Sequence, residues 1–381
     1  MSILTNPQPF ERLGVQAGLN CSGTNTRYGG TRLWPEVRTA MQAVGDTEIE
    51  MAELNRKAGE HIARLCGAEA GFVSSGASGG MILQAAACMT GTDVHKIHQL
   101  PNTNGMKNEI AIYRGHRIRY DQAWRVPGAV FVEYGDMRNC DPWEVEQAIS
   151  PNTAAIGYIV GPTLHPVSPS LQEICQIAHR HDIPVIVDAA AMVPPRANLS
   201  RYISEGADMV VYSGGKGIRG PQGTGVLIGR HDLIEAAVAN ASPNHGIGRG
   251  LKVSKEAIVG LVAALDTLLA TDEDAEFARW NKQCQRIVSS ISEIPGVQAS
   301  VECDETNWLV PSAVIRLDSN WNGRSKKDIL AELRKGDPPI FAGDNPLPGV
   351  MFVKTMNLSD DEVEFVAGRL LEALTSDSAV S

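Results

Sequence analysis

The chain has 381 residues, of which 43% are hydrophobic and 20% charged, a balance that suits a globular protein of two or three domains. A formal net charge of −10 argues against a broad nucleic-acid surface, which gathers lysine and arginine, so no nucleic-acid partner is expected. Seven widely spaced cysteines with no C-x-x-C pair read as free thiols, and with no apolar leader or 18-residue apolar run the protein is expected to be cytoplasmic, without a membrane partner.

Residues 1–35 are rich in Gly, Asn and Thr and read as an arm and loops, and a first helix opens at Pro35. Residues 49–65 form an amphipathic helix, with Ile49, Leu54, Ala58, Ile62 and Leu65 near helical spacing. Strand and helix then alternate. Strands are expected at 71–73, 130–133, 154–160, 184–187, 209–212 and 224–229, with an apolar helix over 77–89. Ser170 and Glu173 make a capping-box pattern that starts a helix running to about residue 181. After the glycines around Arg249, residues 254–269 read as a connecting helix, and the remainder mixes amphipathic helices with strand-like runs such as 313–317. The pattern predicts an α/β fold with a mostly parallel sheet, helices on both faces, and a smaller α+β C-terminal domain. The expected division is 1–50 (arm and first helix), 51–250 (large domain) and 251–381 (connecting helix and small domain).

Two strand ends carry the most chemistry. The run 183–187 ends in Asp188, and the run 207–212 ends in Ser213-Gly214-Gly215-Lys216. Ligands of parallel sheets bind beyond the carboxyl ends of the strands. A lysine there can hold an aldehyde as a Schiff base, and a neighbouring carboxylate can keep a pyridine nitrogen protonated, which is what pyridoxal 5′-phosphate requires. Ser75-Gly76-Ala77, between a strand and an apolar helix, offers small residues and free N–H groups to a phosphate. No P-loop pattern occurs, because Gly217 follows Lys216. His95 and His98 lack a third ligand at a sensible spacing, so no metal is expected. His116 can stack on a cofactor ring or act as an acid, and His165 follows a strand end within reach of the same crevice. The cations Arg114, Arg117, Arg119 and Arg125 are sized for one carboxylate or phosphate of a small substrate.

Several segments together carry a resemblance: residues 20–30, 72–80, Lys107-Asn108-Glu109 with His116-Arg117 and Tyr120-Asp121, 185–190, 212–225 and 248–256. They resemble the fold-type I pyridoxal-phosphate enzymes of the selenocysteine-synthase-like group, particularly the D-glucosaminate-6-phosphate ammonia-lyase branch. The resemblance implies that Lys216 is the Schiff-base lysine, Asp188 the pyridinium partner and His116 the ring-stacking group. It also implies that Ser75, Gly76, Ala77 and Ser213 hold the phosphate. Arg27, Arg249 and Tyr120 lie in matching segments and are candidate substrate contacts, with Arg334 and Arg324 as further carboxylate candidates. The reaction it implies is β-elimination from a small β-hydroxy or β-substituted amino acid, giving a 2-oxo acid and ammonia. Racemisation, epimerisation and aldol cleavage start from the same deprotonation. Transfer of selenium to seryl-tRNA is disfavoured by the acidic balance and by the short N-terminal arm. Enzymes of this fold place the site at a dimer interface, so a homodimer or larger homo-oligomer is expected.

Overall fold

The computed structural model describes residues 10, 13–161, 169–304 and 307–376. These fall into two compact units, one of Arg32–Thr271 and one of Met1–Thr31 with Asp272–Ser381. The strands in chain order are β1 (Leu19–Cys21), β2 (Ala70–Ser74), β3 (Glu109–Tyr113), β4 (Val130–Tyr134), β5 (Thr153–Ile159), β6 (Val185–Asp188), β7 (Met209–Ser213) and β8 (Gly225–Gly229). They continue with β9 (Val297–Glu302), β10 (Ser312–Leu317), β11 (Ile340–Asp344) and β12 (Val350–Lys354).

The larger unit holds a seven-stranded sheet in the order β2-β8-β7-β6-β5-β3-β4. Only β8 runs against its neighbours, so the other strands share one direction and present their carboxyl ends at one edge. β6 and β7 are almost wholly apolar because both faces of the sheet are covered. Phe72, Ile110, Ile112, Ile159, Ile186, Met209 and Val211 face the Gly76–Thr90 helix and form one core with it. Gly80 lets that helix lie close to the sheet, since a Cβ there would stand 2.4 Å from Val211 Cγ2. The Met51–Cys66 and Asn198–Ser204 helices cover the other face, where the Tyr212 hydroxyl donates to the Asn198 carbonyl at 2.6 Å.

The smaller unit has a five-stranded sheet in the order β1-β11-β12-β10-β9, antiparallel apart from β1 beside β11. The Glu273–Ile291, Lys326–Lys335 and Asp360–Thr375 helices bury Ile287, Ile329 and Leu370 with the strands' Ile315 and Met351.

This division differs from the expected boundaries at both ends. The Pro35–Ala43 and Lys255–Ala270 helices belong to the larger unit, because Gly260 meets Met41 there with no room for a side chain. The arm at 13–31 belongs to the smaller unit, because β1 pairs with β11.

Candidate active site

The carboxyl edge of the larger sheet brings together Ser75, Gly76 and Ala77 after β2, His116 after β3, Asp188 at the end of β6, and Ser213 and Lys216 at and beyond the end of β7. Asp188 pairs in register with Val211 on β7 and Ile159 on β5, which puts its side chain on the face that carries the Gly76–Thr90 helix. It is only 5% exposed, and Oδ1 accepts from the Ala190 N–H at 2.9 Å. Burial raises its carboxyl above the usual value; the Ala190 bond and the nearby Lys216 charge partly offset this. Burial likewise lowers the Lys216 ammonium, and Asp188 opposes that shift. Lys216 therefore yields its neutral amine more readily than an exposed lysine does.

The main chain fixes this pair. Ala190 accepts from the Ser213 N–H at 3.3 Å, Gly214 donates to the Thr224 carbonyl at 2.8 Å, and Gly220 donates to Gly214 at 2.8 Å. The turn at Gly76 is tied to the same loop, since its N–H donates to the Gly223 carbonyl at 3.0 Å. Gly76 has φ +65, a left-handed conformation that favours glycine, and a Cβ there would meet nothing within 4 Å. Ser75 caps the helix without a side-chain bond, which leaves its hydroxyl and the Ala77 and Ser78 N–H groups available to a ligand.

His116 is buried and its Nδ1 has no hydrogen-bond partner. Its ring meets Tyr158 edge-on at 4.5 Å and Tyr113 at 5.1 Å, so it is held between two aromatic walls. Burial pushes it down to about 4, so it is neutral at neutral pH and suits stacking better than proton donation.

Tyr120 is 68% exposed, and Arg249 Nη1 lies 3.5 Å from Ser242 Oγ. Arg27 lies in the smaller unit. Two arginines of the cationic run are engaged by acids. Arg117 pairs with Asp121 at 2.7 Å and with Glu133, Arg114 pairs with Glu133 at 3.2 Å, and Arg117 and Arg125 lie over the Phe131 ring. His165 lies outside the described residues.

Two supports carry no local sequence signal. Gln84, fully buried, donates to the Val187 and Met209 carbonyls of β6 and β7 and accepts from Trp124 Nε1. Arg219, at φ 59, lies over the Trp34 ring at 3.7 Å and donates to the Arg32 carbonyl at 3.1 Å, while Trp34 Nε1 donates to the Ile218 carbonyl at 3.1 Å. Together these bonds brace the segment that follows Lys216.

Pyridoxal phosphate fits these residues. A buried carboxylate with a single backbone donor suits a cationic ring nitrogen, an amine stands beside it, and a glycine cradle at a helix start suits the phosphate.

The aminotransferase class-V family matches residues 126–319. The chain is 32% identical over 374 residues to the D-glucosaminate-6-phosphate ammonia lyase of Salmonella typhimurium, covering 96% of this chain and 98% of that protein. It is also 32% identical over 373 residues to the 5′-C-glycyluridine monooxygenase-decarboxylase of a Streptomyces species, covering 96% of this chain and 92% of that one. A solved structure of D-glucosaminate-6-phosphate ammonia-lyase superposes with a TM-score of 0.85 at 31% identity, covering 97% of this chain and 99% of that one. The chain therefore belongs to the aminotransferase class-V family, an enzyme of fold-type I whose cofactor is pyridoxal phosphate.

Proposed function

We propose that this enzyme is a lyase that eliminates the β-substituent of a small β-hydroxy or otherwise β-substituted amino acid, an amino-sugar acid being the substrate class that fits best. The observation that carries the reading is the Lys216–Asp188 pair at adjacent strand ends, in a chain similar to an ammonia lyase over nearly its whole length. When bound, pyridoxal phosphate supplies an electron sink for the carbon that loses its proton.

The residues then divide the work. Ser75, Gly76, Ala77 and Ser213 would hold the phosphate, and His116 would lie against the ring. Asp188 Oδ would keep the ring nitrogen protonated. Lys216 Nζ, whose lowered basicity keeps a neutral fraction available, takes the Cα proton of the substrate. The β-hydroxyl leaves with a proton as water, the resulting enamine tautomerises, and water releases ammonia and leaves a 2-oxo acid. One water is lost and one is taken up, so no external oxidant is required.

The equal identity to the Streptomyces relative supports a second reading, oxidative decarboxylation of an α-amino acid with dioxygen. One experiment separates the two. The purified holoenzyme is offered D- and L-β-hydroxy amino acids and amino-sugar acids under air and under argon, with ammonia, 2-oxo acid and carbon dioxide measured. The proposal expects equal ammonia and 2-oxo acid in both atmospheres. Carbon dioxide release that stops under argon would replace it with the second reading.

A further inference from the structure

The smaller unit contains a concavity of about 420 Å³ lined by Ser22, Thr24, Tyr28 and Asp344, with Arg27 and Arg334 beside them. Its walls are built rather than incidental. Asn20 Nδ2 donates to the Gly23 carbonyl at 2.9 Å and to the Gly30 carbonyl at 2.7 Å, and Asn357 Nδ2 donates to Gly23 at 3.0 Å. Asn25 Oδ1 accepts from the Arg27 N–H at 3.0 Å, which fixes the short turn Thr26–Tyr28. The Tyr28 ring then stacks on Phe341 of β11, with centroids 4.4 Å apart and planes 3° from parallel. Arg334 Nη2 donates to the Tyr28 hydroxyl at 3.2 Å, so the arm and the Lys326–Lys335 helix close the concavity together.

The charges do not cancel there. The one acid in the wall, Asp344, is paired with Lys326 at 2.8 Å. Among the described residues neither Arg27 nor Arg334 has a carboxylate within ion-pairing distance. Two exposed guanidinium groups without a carboxylate partner line this one concavity, and an anion held between them would offset their like charge. Ser22 Oγ already accepts from Asn25 Nδ2 at 3.3 Å, which leaves its proton to donate. One bidentate guanidinium suffices for a carboxylate, whereas two guanidiniums and a hydroxyl suit a dianion with three terminal oxygens.

We propose that Arg27, Arg334 and Ser22 form a binding site for a phosphate group, carried either by a small phosphate ester or by inorganic phosphate. The test is calorimetric titration of inorganic phosphate into the cofactor-loaded enzyme at constant ionic strength. The heat reports binding whether or not the enzyme turns over any substrate, so it is independent of the reaction proposed above. The wild type is expected to bind phosphate, and Arg27→Gln and Arg334→Gln each to bind it about tenfold to a hundredfold more weakly, as for loss of a charged hydrogen bond. Lys327→Gln, an equal charge change on the same helix but outside the lining, is expected to keep the wild-type affinity. Tyr28→Phe, which removes the arm's bond to Arg334 without removing charge, should stay within a few-fold. No phosphate heat in the wild type overturns the site, as does equal loss in Lys327→Gln or Tyr28→Phe. With a substrate in hand, phosphate that raises KM assigns the site to the substrate's own phosphate. Phosphate that binds without changing KM assigns it to the free anion.

Discussion

Replacing Gly217 by alanine tests whether the backbone beside Lys216 is held where the chemistry needs it. A Cβ on Gly217 would lie 1.9 Å from the Val193 carbonyl oxygen, 2.5 Å from that carbonyl carbon and 2.5 Å from Pro194 Cδ. Two of these atoms are main chain and the third is part of a ring, so none can swing aside. A Cβ contact below 3.0 Å is essentially never seen, so the segment has to retreat by about 1 Å, a displacement that costs on the order of a hundredfold in rate when it moves a reacting group. The same overlap costs roughly 1–3 kcal/mol of stability, as for overpacking elsewhere. The assay compares denaturant midpoint, turnover and the visible absorption of the lysine-bound cofactor. Gly223→Ala is the control, since it lies in the same loop and its Cβ would meet nothing within 4 Å. It is expected to stay within about 0.5 kcal/mol of the wild type. A Gly217→Ala enzyme with the wild-type spectrum, rate and midpoint would refute the reasoning.

Lys216→Ala is expected to abolish the visible band and turnover together; retention of the band would mean that another lysine holds the cofactor. Asp188→Asn keeps the shape and the Ala190 bond but removes the charge that would hold the ring nitrogen protonated, so turnover should fall about a hundredfold or more. Cofactor content should fall much less, and wild-type turnover would make Asp188 a structural cap. His116 is held near 4, below its ordinary 6.5, so the stability tied to its neutral ring is full above about 6.5 and lost as pH falls towards 4, at most about 3 kcal/mol. His116→Phe should flatten that part of the midpoint-against-pH curve, and an unchanged curve would show that His116 does not titrate there. Light scattering is expected to give at least a dimer for the active enzyme, and an active dilute monomer would defeat the assembly expected from the family resemblance.

The parts of the fold that were legible are those whose residues announce burial on both faces. β6 and β7 read as short continuous apolar runs, and both end in a polar residue at the edge where ligands bind. Ser170 and Glu173 form the expected capping box, and helix Gly76–Thr90 follows the small-residue turn as read. What escaped depends on distant partners. β1 has three residues and becomes a strand only because β11, more than 300 positions later, offers its edge. β3 lies inside a segment valued for its motif, and its short apolar core resembles any loop until β4 and β5 flank it. The pairing of Arg114 and Arg117 was not legible because their acid, Glu133, sits on the next strand. Arg219 and Trp34 meet across 185 positions, and neither has a neighbour that signals the other.

The roles proposed for Lys216 and Asp188 would suit elimination and oxidative decarboxylation alike, since both begin by weakening a bond to Cα. The bond that breaks is the one held perpendicular to the conjugated ring, and its choice lies with the groups that anchor the substrate's carboxylate and tail. The chain is 32% identical both to a lyase and to a monooxygenase-decarboxylase, so overall identity does not choose between the two outcomes. Specificity is then carried by residues outside the pair, where a relocated cation redirects chemistry without disturbing the cofactor. In this chain the Arg114–Arg125 run is largely engaged by its own acids and by Phe131. Within the larger unit, Arg249, which has no carboxylate within ion-pairing distance among the described residues, is then the better candidate for holding a substrate anion.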